Sequence, residues 1–152
     1  MYRKGVSALI VNPNMEFLLV NLKSFEEKYF AIPGGGVEEG ESLEDAVYRE
    51  IYEELNISKE AFEYVGKSKN PLHTTFKMPK ITREGKECIG SERHFFAFRF
   101  IGSTDSIKLQ ESEIRYYRWV PFAELPNYLL FDNQLRDTQD KIEEIFGDTL
   151  EK

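Results

Sequence analysis

Residues Gly34–Ile57 read GGGVEEGESLEDAVYREIYEELNI, in which three glycines are followed by a stretch dense in glutamates. Ser42 is a residue type that caps helix N-termini, and Asp45 follows three positions later in a variant of the capping box. The pattern predicts a helix that begins after Ser42 and ends near Leu55. Asn56 suits the end of that helix, because asparagine tolerates the left-handed conformation found there. The stretch therefore predicts a glycine-rich loop joined to an acidic helix.

The predicted helix carries carboxylates on its apolar side. At about 100° per residue, its apolar stripe consists of Leu43, Ala46, Val47 and Ile51. Glu50 and Glu54 fall inside this stripe and Glu53 lies at its edge, so the three carboxylates converge. Such charges repel one another, and a buried unpaired carboxylate loses its hydration. A hard divalent cation such as Mg²⁺ would compensate, and Arg49 can orient one of the carboxylates.

Two plainer interpretations compete with a metal-binding helix. The glutamates would form a solvated acidic face, and the glycines would form a flexible turn. The position of Glu50 and Glu54 within the apolar stripe favours metal binding, because a solvated face does not require it. The preceding glycines would let the backbone approach the metal and a phosphate closely.

Eight positions of this stretch match a known motif. They are Gly35, Glu41, Arg49, Glu50, Ile51, Glu53, Glu54 and Ile57. In this spacing the stretch resembles the Nudix box, G-x5-E-x7-R-E-U-x-E-E-x-G-U, where U is bulky and apolar. The one departure is Asn56, where the motif has glycine. The resemblance implies an α/β/α sandwich that hydrolyses a nucleoside diphosphate linked to another moiety, using Mg²⁺ or Mn²⁺.

The same resemblance implies roles for individual residues. The residues expected to bind metal are Gly35 (through its carbonyl), Glu50, Glu53 and Glu54. Arg49 and Glu41 would hold the loop and the helix in their mutual geometry. Glu53, or Glu113 by the weaker resemblance described next, would remove the proton of the attacking water, which requires that the carboxylate lie within hydrogen-bond reach of it.

A weaker resemblance extends beyond the box, to the bacterial RNA 5′-pyrophosphohydrolases and the related dinucleoside polyphosphate hydrolases. It is carried, in order, by Tyr2-Arg3 with Val6–Val11, Phe76-Lys77-Met78-Pro79, Ile89-Gly90 and Tyr117-Arg118-Trp119-Val120. It implies that Arg3 contacts a phosphate and that Phe76 stacks on a base. The chain departs from that subfamily at Gly34, where glutamine is usual, and at His94, where lysine is usual.

A local run of basic residues stands out in this acidic chain. It consists of Lys67, Lys69, Lys77, Lys80, Arg83 and Arg93. Arginine and lysine clamp phosphates, so Lys77 and Arg93 are candidate substrate-binding residues together with Arg3 and Phe76. The plainer interpretations are a solvated charge for Arg3, Glu113 and the basic run, and packing for Phe76.

The rest of the chain alternates short apolar runs with turn signals. The predicted strands are Val6–Val11, Phe17–Leu22, Ala61–Lys67, Arg93–Ile101 and Tyr116–Val120. The predicted further helices are Phe122–Leu125 and Leu129–Phe146. Asn70–Gly90 is expected to be mostly loop or a ragged hairpin, of the kind that often serves as a substrate lid. These elements predict an α+β domain with a mixed sheet between helices.

Composition excludes several classes of protein. The 152 residues suit one domain, residues 1–152, and the net charge of −7 argues against a general DNA-binding surface. Cys88 is the only cysteine, so no intramolecular disulfide forms. No secretory signal is recognisable and no apolar run reaches the roughly 20 residues of a membrane helix. A cytoplasmic protein, monomer or homodimer, without membrane attachment is the expectation.

Three functions remain open. The first is hydrolysis of dinucleoside polyphosphates or of capped or triphosphorylated RNA 5′ ends. The second is hydrolysis of a free nucleotide, such as a nucleoside or deoxynucleoside triphosphate or a nucleotide sugar. The third is a catalytically silent nucleotide-binding regulator, against which the complete set of acidic residues argues.

Overall fold

The computed structural model describes residues 1–81 and 85–147. Its strands are β1 (Tyr2–Val11), β2 (Glu16–Leu22), β3 (Gly34–Gly36), β4 (Phe62–Lys67), β5 (Leu72–Ile81), β6 (Glu87–Phe100) and β7 (Ile114–Pro121). Its α-helices are α1 (Leu43–Leu55) and α2 (Gln134–Phe146), and short 3-10 helices span Lys59–Ala61, Thr104–Ser106 and Phe122–Asn127. Every strand predicted from the sequence is present.

The strands form one mixed sheet. Its order is β4-β6-β1-β2-β7, with β3 paired to β1 and β5 paired to β6. The central pair, β1 with β6, is parallel, and the other pairs are antiparallel. The buried parts of these two strands, Val6–Val11 of β1 and Phe95–Phe100 of β6, are the largely apolar runs in their sequences.

The two helices cover opposite faces of the sheet. Val6, Ala8 and Ile10 of β1 pack in one core cluster with Ala46, Val47 and Ile51 of α1. Leu9 and Val11 belong to a second cluster, with Ile142 and Phe146 of α2. Alternate residues of one strand thus serve two cores. The expected sandwich with a mixed sheet between helices is confirmed.

The boundaries of α1 follow from its capping residues. Ser42 Oγ accepts a hydrogen bond from the Asp45 backbone N–H at 3.1 Å. The Asn56 N–H still donates to the Tyr52 carbonyl, but its left-handed backbone conformation, with φ 57°, ends the helix. The predicted start and end of this helix are both confirmed.

Two predicted segments are refined or corrected by the structure. For Asn70–Gly90, of the two predicted alternatives, the loop is wrong and the ragged hairpin is confirmed: most of the segment belongs to the antiparallel pair β5–β6, whose register shifts between Thr75 and Lys80. β5 is largely exposed, so its sequence lacks the apolar alternation that reveals a half-buried strand. Arg83 lies outside the described residues. The predicted helix from Leu129 begins only at Gln134, because Asn133 before it has φ 66°, which a helix does not accommodate.

The predicted glycine loop is instead the strand β3. Gly34, Gly35 and Gly36 pair with Ser7, Val6 and Gly5 of β1. Side chains would prevent this close pairing, because a Cβ built on Gly34 would overlap the Val6 carbonyl oxygen. The glycines therefore provide close approach rather than flexibility. Neither helix in the part of the chain that the structure describes is long and apolar enough to cross a membrane.

Candidate functional site

The glycine strand β3 lies directly against the acidic side of α1. A Cβ built on Gly35 would overlap the carboxylate of Glu50. On the same helix, Glu54 Oε1 accepts a hydrogen bond of 3.2 Å from the Gly34 backbone N–H. The helix thus presents two carboxylates to the backbone of the strand, with no side chain in between.

Arg49 ties the strand, the loop and the helix together. Its Nε and Nη2 donate to the two carboxylate oxygens of Glu41 at 2.7 and 2.9 Å, and Nη2 also donates to the Gly36 carbonyl at 2.9 Å. Nη1 donates to Glu50 at 3.0 Å and to Glu53 at 3.3 Å. This bidentate pair lowers the pKa of Glu41, whose other stabilising contact is the Glu38 backbone N–H. Arg49 thus contacts the loop through Glu41, the strand through Gly36 and the helix through Glu50 and Glu53, and the role that the resemblance implies for the pair stays a prediction.

Glu54 is an unusual carboxylate. It is 8 % exposed, and burial together with the neighbouring charge of Glu50 raises its pKa to about 8. Burial is also the main reason that the pKa of Glu50 is raised, although Arg49 acts in the opposite direction. Neither Glu54 oxygen pairs with a cation among the described residues. The helical wheel correctly placed Glu50 and Glu54 inward and Glu53, whose side chain is 51 % exposed, at the edge.

These carboxylates open onto a cleft of about 580 Å³. It is lined by Leu22, Lys23, Ser24, Gly34, Gly35, Glu50, Glu54, Ser112 and Glu113. Glu113 lies close enough to raise the pKa of both Glu50 and Glu54. Glu113, which is distant from the acidic helix in sequence, therefore lies close to that helix in the structure. Lys23, Ser24 and Ser112 were not predicted, because loop residues with no periodic pattern carry no signal of their position.

The donor set fits a hard divalent cation. Two carboxylates that burial and mutual repulsion destabilise face one cleft, and such a cation prefers carboxylate and carbonyl oxygens. Within residues 1–81 and 85–147, no group of three or more His, Cys, Asp or Glu side chains is already drawn together closely enough to enclose a metal ion. Glu53 is held by Arg49, so it would have to turn toward the cleft to join Glu50 and Glu54.

Two arginines lie near the strand β3. A Cβ on Gly36 would come within 3.1 Å of Arg3 Nη2, and a Cβ on Gly5 within 2.9 Å of Arg93 Nη2. Arg93 Nη1 donates to the Val6 carbonyl at 2.8 Å and to Ser7 Oγ at 3.1 Å. Desolvation lowers the pKa of Arg93, and the charge of Arg3 acts in the same direction. Neither arginine forms an ion pair with a carboxylate among the described residues, so both retain charge for an anion.

The remaining predicted substrate residues lie on β5. Phe76 is partly buried and the Lys80 ammonium lies 4.6 Å from the centre of its ring, while Lys77 is exposed. Neither Phe76 nor Lys77 lines the acidic cleft. Their roles, like those of the other predicted site residues, stay predictions.

Comparison with known protein families identifies the family of this chain. The model of the NUDIX domain matches residues 1–141. An RNA pyrophosphohydrolase of Actinobacillus pleuropneumoniae serotype 5b is 32% identical over 128 residues, which cover 80% of this chain and 60% of the relative. The RNA pyrophosphohydrolase of Psychromonas ingrahamii is 30% identical over 128 residues, covering 80% and 68%. The chain thus spans about 60% of the length of the first of these relatives.

Solved structures show the same fold. The Ap4A hydrolase of C. elegans in a binary complex matches with a TM-score of 0.66 and 20% identity, covering 91% of this chain and 96% of that one. The dihydroneopterin triphosphate pyrophosphohydrolase of E. coli matches with a TM-score of 0.69 and 15% identity, covering 92% and 96%. At these identities the likeness establishes the fold. Together with the family match over residues 1–141, it shows that the chain belongs to the Nudix family.

Proposed function

We propose that the chain is a metal-dependent pyrophosphohydrolase that cleaves a phosphoanhydride bond in a substrate of the form nucleoside diphosphate–X. The observation that carries the proposal is Glu54, a buried carboxylate that has no cationic partner within residues 1–81 and 85–147 and lines the cleft with Glu50. Such a carboxylate is costly in isolation and is accounted for by a cation that binds with the substrate. Nudix hydrolases generally need divalent metal ions, and we propose Mg²⁺ or Mn²⁺ here.

Glu50 and Glu54 would hold the metal, with Glu53 and the Gly35 carbonyl as further ligands. When bound, a divalent ion supplies charge neutralisation at phosphate oxygens and acidification of water. Arg49 holds the carboxylate of Glu50 against Gly35 through its contacts with Glu41 and the Gly36 carbonyl. Glu50 and Glu54 are thus held in place before substrate arrives, which reduces the reorganisation needed for reaction.

Glu113 is the proposed general base, with Glu53 as the alternative. Glu113 lines the same cleft as Glu50 and Glu54, and no ion pair holds it among the residues that the structure describes. Glu53 instead accepts a hydrogen bond from Arg49, which engages one of its oxygens. A carboxylate free to accept a proton at the cleft is better suited to deprotonate an attacking water.

The proposed substrate is a triphosphorylated RNA 5′ end or a dinucleoside polyphosphate. Relatives that share about 30% identity over most of this chain are RNA pyrophosphohydrolases. Arg3 and Arg93 supply positive charge at the strand β3, where phosphates extending beyond the metal would lie. Phe76 and Lys77, which both lie on β5, are proposed to contact the substrate.

One set of assays tests this proposal. The wild-type protein is incubated with Mg²⁺ or Mn²⁺ and, in turn, Ap4A, triphosphorylated RNA, the deoxynucleoside triphosphates and ADP-ribose, and product nucleotides are quantified. Glu54→Gln is measured in parallel, with Glu44→Gln on the exposed side of the same helix as the control. We expect turnover of RNA or Ap4A that chelator and Glu54→Gln abolish and Glu44→Gln preserves.

Other results would select the alternatives. Preferred turnover of the deoxynucleoside triphosphates or ADP-ribose would change the proposed substrate and leave the proposed reaction unchanged. No turnover of any substrate, together with tight nucleotide binding, would identify a silent regulator. Undiminished turnover by Glu54→Gln would contradict the assignment of the metal site.

A further inference from the structure

The pairing of β2 with β7 is interrupted beside the acidic cleft. Asn21 pairs with Tyr116, whereas the next residue, Leu22, pairs with Ile114, so Arg115 is an extra residue on β7. An extra residue of this kind, a β-bulge, breaks the regular alternation of side chains and often redirects one of them near a functional site. The direction of the Arg115 side chain is therefore set by the bulge and not by the alternation of a regular strand.

The core beside α1 shows the effect of the bulge. Ile114 contributes to that core together with Tyr117, although residues three positions apart in a regular strand face opposite sides of the sheet. The Arg115 side chain extends toward the loop that follows β2, and its guanidinium forms hydrogen bonds there.

The Arg115 guanidinium braces both ends of one turn. The Phe25 N–H donates to the Leu22 carbonyl at 3.2 Å, which closes a turn with Lys23 and Ser24 at its centre. Arg115 Nη1 donates to the Leu22 carbonyl at 3.2 Å, and Nη2 donates to the Phe25 carbonyl at 2.9 Å. Lys23 and Ser24 line the acidic cleft, so the guanidinium fixes a turn that forms part of the cleft wall.

Asn21 extends this brace to the rest of the loop. It is fully buried, and its Oδ1 accepts a hydrogen bond of 2.7 Å from Arg115 Nη1. Its Nδ2 donates to the Glu27 carbonyl at 2.8 Å and to the Tyr29 carbonyl at 3.0 Å. Both donors and an acceptor of the amide are thus engaged, as a buried asparagine requires. Arg115 and Asn21 together hold the loop from its first residue to Tyr29.

The turn that Arg115 braces is bonded directly to Glu113. The Lys23 N–H donates to the Glu113 carbonyl at 2.7 Å. On its other side, the Glu113 N–H donates to the Gln110 carbonyl at 3.0 Å, and the Gln110 N–H donates to the backbone carbonyl of Glu54 at 3.0 Å. Glu113 precedes β7, so these bonds between loops, rather than a strand, hold its backbone.

The exact position of Glu113 matters for its proposed role. A general base must lie within hydrogen-bond reach of the water, and a misplacement of about 1 Å can cost roughly a hundredfold in rate. Within residues 1–81 and 85–147, neither Glu113 nor Arg115 forms an ion pair. The placement of the Glu113 carboxylate therefore depends on its backbone, and the fork of Arg115 is engaged by Asn21 and the backbone of the turn.

We infer that Arg115 is a positioning residue for the general base: by bracing the turn between Leu22 and Phe25, it holds the Glu113 backbone in place beside the acidic helix. Arg115 acts on Glu113 through the Lys23 N–H and lies outside the group that binds metal or substrate. The inference rests on the proposed function, because it takes Glu113 as the base.

Amide hydrogen exchange tests the structural step without any substrate. The exchange of the Lys23 and Phe25 amides is measured by NMR in the wild type, Arg115→Gln and Arg118→Gln. We expect at least about tenfold faster exchange in Arg115→Gln, because the turn loses the donors that hold its two ends. Arg118 lies on the same strand and donates instead to Tyr128 Oη at 3.2 Å, so Arg118→Gln should exchange as the wild type does.

Kinetic measurements test whether the brace acts through Glu113. Arg115→Gln should lower kcat by roughly tenfold to a hundredfold and leave the required Mg²⁺ concentration unchanged, whereas Arg118→Gln should keep the wild-type kcat. In a Glu113→Gln background, Arg115→Gln should lower kcat no further, because no base remains to be positioned. Arg115→Lys keeps the charge but not the planar fork, so it should restore little of the slow exchange or of kcat.

The inference would be overturned by wild-type exchange or wild-type kcat in a folded Arg115→Gln, by full recovery in Arg115→Lys, or by an equal fall of kcat in the Glu113→Gln background. Thermal unfolding establishes that each variant is folded, and if Arg115→Gln is not, the same measurements on Arg115→Lys decide. Faster exchange in Arg115→Gln, without turnover of any substrate by the wild type, would overturn only the proposed function. Turnover that depends on Glu113, together with wild-type exchange in Arg115→Gln, would overturn only the role of Arg115.

Discussion

The carboxylate of Glu50 occupies the space into which any side chain at Gly35 would project. The strand β3 and the helix α1 therefore touch backbone to carboxylate. This contact places the Gly35 backbone beside Glu50, as the proposal that both bind one metal ion requires. The contact is possible because Gly35 has a hydrogen atom where every other residue type has a Cβ.

Gly35→Ala is expected to damage this contact. The added methyl group must displace Glu50 or separate β3 from α1, and overpacking of this kind costs about 1–3 kcal/mol of unfolding free energy. A displacement of about 1 Å at the ligands is expected to lower turnover roughly a hundredfold. Thermal unfolding and kcat on the best substrate measure the two effects.

A double substitution distinguishes this cause from a general effect on β3. Glu50→Ala removes the carboxylate that the new methyl group would meet, so Gly35→Ala should cost less stability in that background. The two substitutions should therefore be strongly non-additive in stability. Additive losses would show that the methyl group meets something other than Glu50.

The raised pKa of Glu54 predicts how stability depends on pH without metal. Its pKa is about 8 in the folded protein and near its ordinary value of 4.5 in the unfolded chain. Between these values the folded state binds the extra proton, so stability falls as pH rises through this window. Glu54→Gln carries no titrating group and should flatten that decline in chelator. Thermal unfolding between pH 5 and pH 8 measures the difference.

Adding Mg²⁺ should reverse the difference in stability between the wild type and Glu54→Gln. At the upper end of the same window Mg²⁺ should raise the unfolding temperature of the wild type, because it binds the ionised carboxylate. Glu54→Gln should show little of this increase, whereas Glu44→Gln should behave as the wild type. A Glu54→Gln protein that is no more stable than the wild type in chelator near pH 8 would contradict the placement of a repelled carboxylate there.

The acidic helix could be predicted from the sequence because its information is local. Residues three and four positions apart on a helix share a face, so the positions of Glu50 and Glu54 followed from their spacing relative to Ile51. The cap at Ser42 and the left-handed residue Asn56 are equally local signals. The pattern of apolar runs was enough to indicate a mixed sheet between helices, because buried strands are short and rich in branched residues.

Other features were not predictable because they depend on contacts between distant segments. Three glycines carry no apolar pattern, so β3 is a strand only because β1 and α1 approach from both sides. β5 is exposed on both faces and therefore shows no alternation. Arg93 of β6 and Asp137 of α2 line one cavity of about 330 Å³, and the sequence around one of these residues gives no sign that the other lies nearby.

Arg49 and Glu41 should be strongly coupled. The bidentate pair of 2.7 and 2.9 Å is partly buried, with side chains 23 % and 15 % exposed. Arg49→Lys keeps the charge but loses the planar fork that reaches Glu41, Gly36 and Glu50 together. A double-mutant cycle of Arg49→Lys and Glu41→Gln should give an interaction energy within the range of about 0.5–3 kcal/mol seen for contacting pairs. Exposed Glu38, 3.9 Å from Arg49, provides the control through Glu38→Gln, which should lose little.

The lowered pKa of Glu41 gives this pair a pH signature. The carboxylate contributes stability that is present above its unfolded value of 4.5 and is lost as pH falls through its lower folded value. The wild type should therefore lose more stability on acidification below pH 4.5 than Glu41→Gln does. Equal acid sensitivity of the two proteins would show that the pair does not stabilise the ionised carboxylate.

Glu113 and Glu53 can be distinguished as general base by the pH dependence of turnover. A base acts when ionised, so kcat/KM should rise with pH through its pKa in the free enzyme. Glu113→Gln should lower kcat by about 10²–10⁴-fold and remove this rise. Glu53→Gln, which removes a proposed metal ligand held by Arg49, should instead raise the Mg²⁺ concentration required and keep the shape of the profile. Glu111→Gln, an exposed carboxylate in the same loop, is the matched control and should leave both unchanged. If Glu53→Gln abolished the rise while Glu113→Gln kept it, the base would be Glu53, and Glu113 would act only through its charge on Glu50 and Glu54.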